Sequence, residues 1–243
     1  MEDKIAGILG GMGPEATVDL MQRIIRLTPA EDDGDHVRLI VDNNPKVPSR
    51  IKALIEEDGT DPGPCLADMA KRLEKWGADF LAIPCNTAHF YYDRVQEAVD
   101  IPVINLIDLV TENVRRNYPQ GSSIGLLAST AVIKTGLYEK RFKPLGLKLI
   151  CPREDLQNDL LNIIKAIKAG NTGKEVMETY TAICSHLKGK GASLGIVACT
   201  ELGILGGDLP FHIMDATEIL AQEIVKRAKG DSLPHNSLEP KGV

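Results

Sequence analysis

Residues Gly77 to Thr87 read GADFLAIPCNT, a short apolar run that ends at a proline and a cysteine followed by two small polar residues. Residues Gly191 to Glu201, in the second half of the chain, read GASLGIVACTE. The first three residues of each stretch, Gly-Ala-Asp and Gly-Ala-Ser, are typical of a helix end before a strand in parallel α/β proteins. This general pattern does not explain why a cysteine follows the apolar run in both stretches, or why Asn-Thr follows the first cysteine and Thr-Glu the second. The repeat therefore indicates two related halves.

Further apolar runs surround this stretch and repeat in the same order. Ile5 to Leu9 opens the first half, and Ile124 to Leu127 opens the second. Runs at Val37 to Val41 and Ile101 to Ile104 alternate with segments of helical spacing. Short strands alternating with helices are typical of βαβ units and parallel sheets. The predicted fold class is therefore α/β, with two similar parallel-sheet lobes related by a pseudo-two-fold axis and the active site in the cleft between them.

The last helical pattern suggests where the two lobes begin and end. Beyond Asp215 the apolar residues recur with helical spacing, and we expect this helix to return to the first lobe. The prediction is a first lobe of residues 1–110 plus 215–243 and a second lobe of residues 111–214.

Composition excludes several classes of protein. The chain has 243 residues, of which 43% are hydrophobic and 26% charged, with a formal net charge of −6. This charge argues against nucleic acid as a partner. No apolar run approaches the ~20 residues that cross a bilayer, and the N-terminal residues do not read as a signal peptide. We expect a cytoplasmic protein with no membrane partner.

Five cysteines are present, and two of them stand out. They are odd in number and contain no C-x-x-C pair, which argues against a zinc site or any other metal site. Cys65, Cys151 and Cys184 are interpreted as small buried hydrophobic residues. Cys85 and Cys199 each follow a predicted strand, where ligands of open α/β sheets bind. Amide groups of a following helix N-terminus would lower the pKa of such a thiol.

Two thiols on opposite sides of one cleft suit inversion at a carbon acid. One base removes a proton from one face of the Cα atom, and one acid returns a proton to the other face. Without a cofactor, donors must stabilise the charge that develops on the α-carboxylate, and the amides after each cysteine are suited to that. The pairing of Cys85 and Cys199 therefore favours a two-base racemase.

Five motifs resemble the aspartate/glutamate racemase family, and most of all its aspartate racemase branch. They are GILGGMGPEAT from Gly7, NNPKVPSR from Asn43, PCNTAH from Pro84, KAGN from Lys168 and ACTE from Ala198. The resemblance implies a homodimeric isomerase that interconverts L- and D-aspartate and/or glutamate, with no pyridoxal phosphate or other cofactor.

The resemblance also implies roles for individual residues. Cys85 would deprotonate the D-enantiomer and Cys199 the L-enantiomer. Asn86, Thr87 and Thr200 would bind the α-carboxylate. Further substrate contacts are expected from four residues. Arg50 and Lys168 would bind the side-chain carboxylate, and Met12 would line the cleft mouth. Glu201 would also contact the substrate.

Judged by their residue types and positions alone, some of these residues have other possible roles. Arg50 can form the two parallel bonds that hold a carboxylate, although a solvated surface arginine is the default. Lys168 precedes a predicted helix end, where lysine commonly offsets the helix dipole. His89, one turn from Cys85, is interpreted as a supporting residue and not as a base.

Three rival functions remain open. One is a related enzyme of the superfamily, such as a hydantoin racemase, a maleate isomerase or an arylmalonate decarboxylase. A second is nucleotide binding by the glycines from Gly7 to Gly13, but their spacing is not that of a dinucleotide fingerprint. A third is a non-enzymatic amino-acid binding protein, which would not need two thiols.

Overall fold

The computed structural model describes residues 3–56, 59–205 and 209–230. Every strand of these ranges lies in one of two parallel sheets. In chain order the strands are β1 (Ala6–Gly10), β2 (Leu39–Asn43), β3 (Phe80–Ala82), β4 (Ser123–Ala128), β5 (Lys148–Ile150), β6 (Leu194–Ala198) and β7 (Ile213–Asp215).

The two sheets have the same strand order. The first runs β2-β1-β3 and the second β5-β4-β6-β7. A parallel bridge between Leu81 and Val103 stands in the first sheet where β7 stands in the second. The order matches when β1, β2 and β3 are superposed on β4, β5 and β6. The predicted α/β class with two related parallel-sheet lobes is confirmed.

Two sequence expectations are corrected at the sheet edges. The second strand begins at Leu39 and not at Val37. The run from Ile101 to Ile104 forms a single bridge instead of a strand. Pro102 accepts a hydrogen bond from Leu81 but has no N–H with which to extend the ladder toward Ile101. Beyond Ile104, which donates back to Leu81, the Leu106 amide donates to His89 and not to the neighbouring strand.

The helices of the described residues cover the sheets. They are α1 (Pro14–Leu27), α2 (Gly63–Lys75), α3 (Tyr92–Gln96), α4 (Leu106–Asn117), α5 (Thr130–Lys134), α6 (Glu139–Phe142), α7 (Glu154–Lys168), α8 (Lys174–Gly189) and α9 (Ala216–Lys229). Most of the long ones bury one apolar stripe and expose the opposite face, as helices packed on a sheet do.

Alternation along the strands creates one shared core and two outer cores. Phe80 and Ala82 of β3 point into a central cluster that also holds Leu194 and Ile196 of β6. The intervening residues point outward, because side chains of a strand alternate between its two faces. Cys85 continues the outward series of the first sheet and Cys199 that of the second. The two cysteines therefore occupy equivalent positions.

Helix α9 connects the end of the described chain to the first sheet. Leu220 and Ile224 on this helix are fully buried in the central cluster, where it packs on α1 and α4. Near its end, Ala228 accepts a hydrogen bond of 2.9 Å from the Lys4 amide. We propose the lobe boundaries as residues 1–110 plus 215–243 and 111–214, of which 1–2, 57–58, 206–208 and 231–243 lie outside the described residues.

A buried guanidinium joins α1 and α9 to the segment that follows β6. Arg23 of α1 lies 2.8 Å from Asp19, 2.7 Å from Asp215 and 3.0 Å from Glu218. It also donates to the Gly203 carbonyl at 3.2 Å. Burial lowers the pKa of Arg23, but the three carboxylates outweigh that effect and raise it overall. The cluster joins α1 and α9 to the segment that follows Cys199.

The described part of the chain lacks two further features. No helix there is both long enough and apolar enough to cross a membrane. No group of three or more His, Cys, Asp or Glu residues is arranged there to hold a metal ion.

Candidate active site

A pocket opens where the carboxyl ends of both sheets meet. This is the position at which open parallel sheets bind their ligands. All nine residues singled out from the sequence line it: Met12, Arg50, Cys85, Asn86, Thr87, Lys168, Cys199, Thr200 and Glu201. Sequence reasoning missed five others: Ser49, Ile51, Ser129, Ile164 and Ala198.

Cys85 is held in place by a buried histidine. Its carbonyl oxygen lies 2.9 Å from Nδ1 of His89, and Nε2 of the same ring accepts the Leu106 amide at 3.0 Å. An imidazole that accepts at Nε2 and donates at Nδ1 is neutral. Burial lowers the pKa of His89 to about 4. His89 therefore links the end of β3 to α4 and is not positioned to act as a base.

Cys199 has a carboxylate beside its sulfur. Its Sγ lies 3.0 Å from Oε2 of Glu201, so the thiol donates to the carboxylate. Oε1 of Glu201 is 3.1 Å from Nζ of Lys168, the last residue of α7. The Glu201 side chain is only 6% exposed. The sequence placed Glu201 among substrate contacts, whereas its atoms contact a catalytic candidate and a cation.

The expected lowering of the thiol pKa is wrong for Cys199. Burial raises the pKa of Cys199 well above its ordinary value, and the charge and hydrogen bond of Glu201 raise it further, while Lys168 lowers it. The helix N-termini expected after the cysteines are short 3₁₀ turns, Thr87–Tyr91 and Leu202–Ile204. Such turns have little dipole to offset the cost of burying a thiolate.

The residues expected to bind an α-carboxylate present donors to the pocket. Oδ1 of Asn86 accepts a hydrogen bond of 2.6 Å from the Tyr138 hydroxyl, and its Nδ2 has no partner among the described residues. The Thr87 hydroxyl lies 3.0 Å from that of Ser129. Thr200 donates to the Pro84 carbonyl at 3.4 Å, which joins the two cysteine loops. A buried amide N–H without a partner is suited to a bound anion.

Arg50 is anchored by its own loop. Its Nη1 donates to the Pro48 carbonyl at 2.8 Å and the Val47 carbonyl at 3.2 Å. Its Nε is buried and has no partner within the described residues. One edge of the guanidinium is therefore fixed by the backbone, while another donor remains for a ligand.

A second chamber adjoins the pocket at the first turn of α1. Four residues line both spaces: Met12, Arg50, Lys168 and Glu201. Met12 is 3% exposed, which places its side chain within the cavity wall and not at an open mouth. Glu15 also lines the chamber, and its side chain is exposed.

Some missed residues had a signal in the sequence. Ser129 directly follows β4, which corresponds to β1, so the internal repeat pointed to this position. Ser49 and Ile51 flank Arg50 in one segment of the chain. Ile164 of α7 and the supporting Tyr138, which directly precedes α6, had no signal, because both are far in the chain from the cysteine loops.

Comparison with known proteins assigns a family. A sequence model described as Asp/Glu/hydantoin racemase matches residues 9–224. The broad-specificity amino-acid racemase RacX of Bacillus subtilis is 28% identical over 227 residues, which cover 90% of this chain and 96% of that protein.

Solved structures share the fold. Picrophilus torridus aspartate racemase superposes with a TM-score of 0.83 at 28% identity, over 93% of this chain and 94% of that one. An aspartate racemase homologue from Pyrococcus horikoshii gives a TM-score of 0.73 at 24% identity, over 93% and 99% of the two chains. At that identity the second comparison concerns the fold alone.

Proposed function

Because the chain belongs to the Asp/Glu/hydantoin racemase family, we propose that it interconverts L- and D-aspartate and/or glutamate by a two-base reaction of Cys85 and Cys199. The observation that carries the proposal is the placement of two thiols at equivalent ends of two equivalent sheets, on one pocket. The exposed fractions are 7% for Cys85 and 9% for Cys199.

The proposed reaction transfers one proton at each face of Cα. The thiolate of one cysteine removes the Cα proton and becomes a thiol, which leaves a planar carbanion. The thiol of the other cysteine donates its proton to the opposite face and becomes a thiolate. The products are the inverted amino acid and an enzyme in which the two sulfurs have exchanged protonation states. Neither step requires a metal or an organic cofactor.

Carbanion formation needs donors at the α-carboxylate, because negative charge spreads onto that group. We propose that the free Nδ2 of Asn86 and the Thr87 hydroxyl serve as this donor set, together with the Thr200 hydroxyl once it turns from the Pro84 carbonyl to the substrate. Donors fixed before the reaction stabilise developing charge without a reorganisation cost. Tyr138 keeps the Asn86 amide oriented with its N–H group free.

The proposed substrate class follows from the cations of the pocket. Arg50 and Lys168 line it together with one carboxylate, Glu201. An amino acid with a second carboxylate would pair with the free guanidinium donor, as arginine commonly does. This favours an acidic amino acid over the neutral hydantoin ring that a related enzyme would bind.

Proton exchange in D₂O tests the reaction directly. With L-aspartate and L-glutamate we expect loss of the Cα–H signal by NMR together with formation of the D-enantiomer on chiral chromatography. Cys85→Ala and Cys199→Ala should each abolish racemisation, and Cys65→Ala provides the matched control outside the pocket. Near-normal racemisation by Cys85→Ala would contradict the two-base proposal. If the protein converted hydantoins or maleate but neither amino acid, the proposed acidic amino-acid substrate would be wrong.

The assembly is a separate proposal. By resemblance to its family we propose a homodimer, and sedimentation equilibrium should give about twice the 26.4 kDa chain mass. A monomer mass at micromolar concentration would contradict this.

A further inference from the structure

The internal symmetry of the pocket is broken two residues after each cysteine. In the first half this position is Thr87, whose hydroxyl lies 3.0 Å from the Ser129 hydroxyl. In the second half it is Glu201, whose Oε2 lies 3.0 Å from Sγ of Cys199. One sulfur therefore has a carboxylate as its hydrogen-bond acceptor, and the other has a neutral hydroxyl at the corresponding position. Sulfurs in equivalent places have different surroundings.

We infer that Glu201 is a positioning residue that keeps the proton on Cys199 in the substrate-free protein, so that Cys85 is the thiol that ionises first. An S–H group donates to a carboxylate, whereas a thiolate next to the same carboxylate is repelled by it. The contact between Cys199 and Glu201 is buried, and burial strengthens both effects because water does not screen them.

The charged groups around Cys199 come from several elements. Glu201 follows β6, Lys168 ends α7, and Cys85 faces the same pocket from the first sheet. Lys168 opposes the effect of Glu201, but its Nζ is 3.1 Å from Oε1 of that carboxylate. Burial and Glu201 outweigh Lys168 and raise the pKa of Cys199. The net result at this sulfur favours the thiol.

The surroundings of Cys85 contain no comparable acid. Glu201 is the one carboxylate among the described residues that line the pocket. The buried His89 contacts the Cys85 carbonyl oxygen and not its sulfur. Cys85 and Cys199 are 7% and 9% exposed, so a small reagent has similar access to both. A difference in their reactivity therefore reports ionisation.

The consequence for catalysis rests on the proposed two-base function. If Cys85 removes the proton of the D-enantiomer, the resting protein is in the form that accepts this enantiomer. A cycle that begins with the L-enantiomer must first move the proton from Cys199 to Cys85. Because of Glu201, the form of the enzyme that accepts the D-enantiomer would be more populated than the form that accepts the L-enantiomer.

Alkylation of the substrate-free protein tests the inference. Iodoacetamide reacts with thiolates, and peptide mass spectrometry resolves each cysteine between pH 6 and pH 9. In the native protein we expect Cys85 to react about tenfold faster than Cys199. Glu201→Gln keeps a hydrogen-bond acceptor without charge, so it should speed alkylation of Cys199 about tenfold and shift its pH profile downward.

Matched variants separate charge from structure. Lys168→Met should slow Cys199 alkylation further, because it leaves the Glu201 charge unopposed. Glu15→Gln removes an exposed carboxylate of the adjoining chamber and should leave both rates unchanged. Equal or faster alkylation of Cys199 in the native protein would overturn the inference, as would an unchanged Cys199 rate in Glu201→Gln.

No substrate is present in this experiment, so its outcome is independent of racemase activity. If Glu201→Gln fails to fold, the native protein and Lys168→Met decide the question between them. Loss of the rate difference with intact racemisation would reject the role of Glu201 alone. A clear rate difference without racemisation would reject the proposed function alone.

Discussion

At the residue scale, Arg50 determines the predicted preference for acidic substrates. Its Nη1 is bound to backbone carbonyls, while its buried Nε has no partner within the described residues. Arg50→Ala should lower kcat/KM for aspartate. The loss of transition-state stabilisation should be about 2–5 kcal/mol, as when a buried charged group loses its partner. Arg50→Lys should recover only part, since an ammonium group cannot form the planar pair.

The control for Arg50 is a neutral substrate. Exchange of the alanine Cα–H in D₂O should change far less in Arg50→Ala than exchange of aspartate. An equal loss for aspartate, glutamate and alanine would mean that Arg50 shapes its loop and does not select the substrate.

His89, also at the residue scale, makes stability depend on pH. Burial lowers its pKa from 6.5 to about 4 in the folded protein. The unfolded chain therefore binds this proton first as pH falls, so stability decreases from about pH 6.5 and the loss is complete near pH 4. Between pH 7.5 and pH 5 the loss from His89 should be about 2 kcal/mol.

Urea unfolding at both pH values checks this effect. His89→Gln, whose amide can both donate and accept, should remove most of that difference. His186→Gln on α8 is the control and should keep it. A native pH dependence that survives in His89→Gln would assign it to other groups.

At the element scale, the turn from β1 to α1 depends on a glycine. Gly11 has a φ of +89°, and an added Cβ would lie 2.2 Å from the backbone of Asn44 after β2. Gly11→Ala therefore combines backbone strain of about 1–3 kcal/mol with a clash against backbone that cannot rotate away. We expect a larger loss of unfolding free energy than strain alone would cause, and reduced activity because Met12 is displaced.

Gly77 provides the matched comparison for Gly11. It has a φ of +102°, but an added Cβ would meet nothing within 4 Å. Gly77→Ala should cost only the strain, measured by urea unfolding of both variants. Equal losses in the two variants would show that the loop around Asn44 relaxes freely.

At the scale of the whole molecule, the Arg23 cluster joins α1 to α9 and to the Gly203 carbonyl after β6. The guanidinium contacts Asp19, Asp215 and Glu218, and the Arg23 side chain is 10% exposed. Arg23→Met leaves three carboxylates without this partner and should cost about 3–5 kcal/mol of unfolding free energy. Because Arg23 also holds the Gly203 carbonyl, racemisation should slow as well.

Arg26 is the control for the buried Arg23 cluster. It pairs with the same Glu218, but its side chain is 65% exposed. Arg26→Met should cost less than about 1 kcal/mol, as exposed ion pairs do. Similar losses for both variants would mean that the contact with Glu218, and not the buried cluster, stabilises the molecule.

Local patterns in the sequence determined the architecture and most of the pocket. Parallel strands followed from apolar runs that alternate with helices, and the repeat around Cys85 and Cys199 indicated two related lobes. The polar residues beside each cysteine were predictable for the same reason, since the ends of parallel strands meet at one edge of a sheet. The run from Ile101 to Ile104 forms only a bridge, because Pro102 has no N–H and the Leu106 amide donates to His89.

The tertiary structure alone decided the surroundings of each group. The ion pair of Lys168 with Glu201 and the support of Asn86 by Tyr138 join residues that are distant in the chain. Glu201 is only two residues from Cys199, but the folded turn is what brings its carboxylate within 3.0 Å of the sulfur. Proton affinity depends on burial and on the charges within a few ångströms, not on the neighbouring letters of the chain. For this reason the repeat predicted two similar thiols, and only folding made Cys199 different from Cys85.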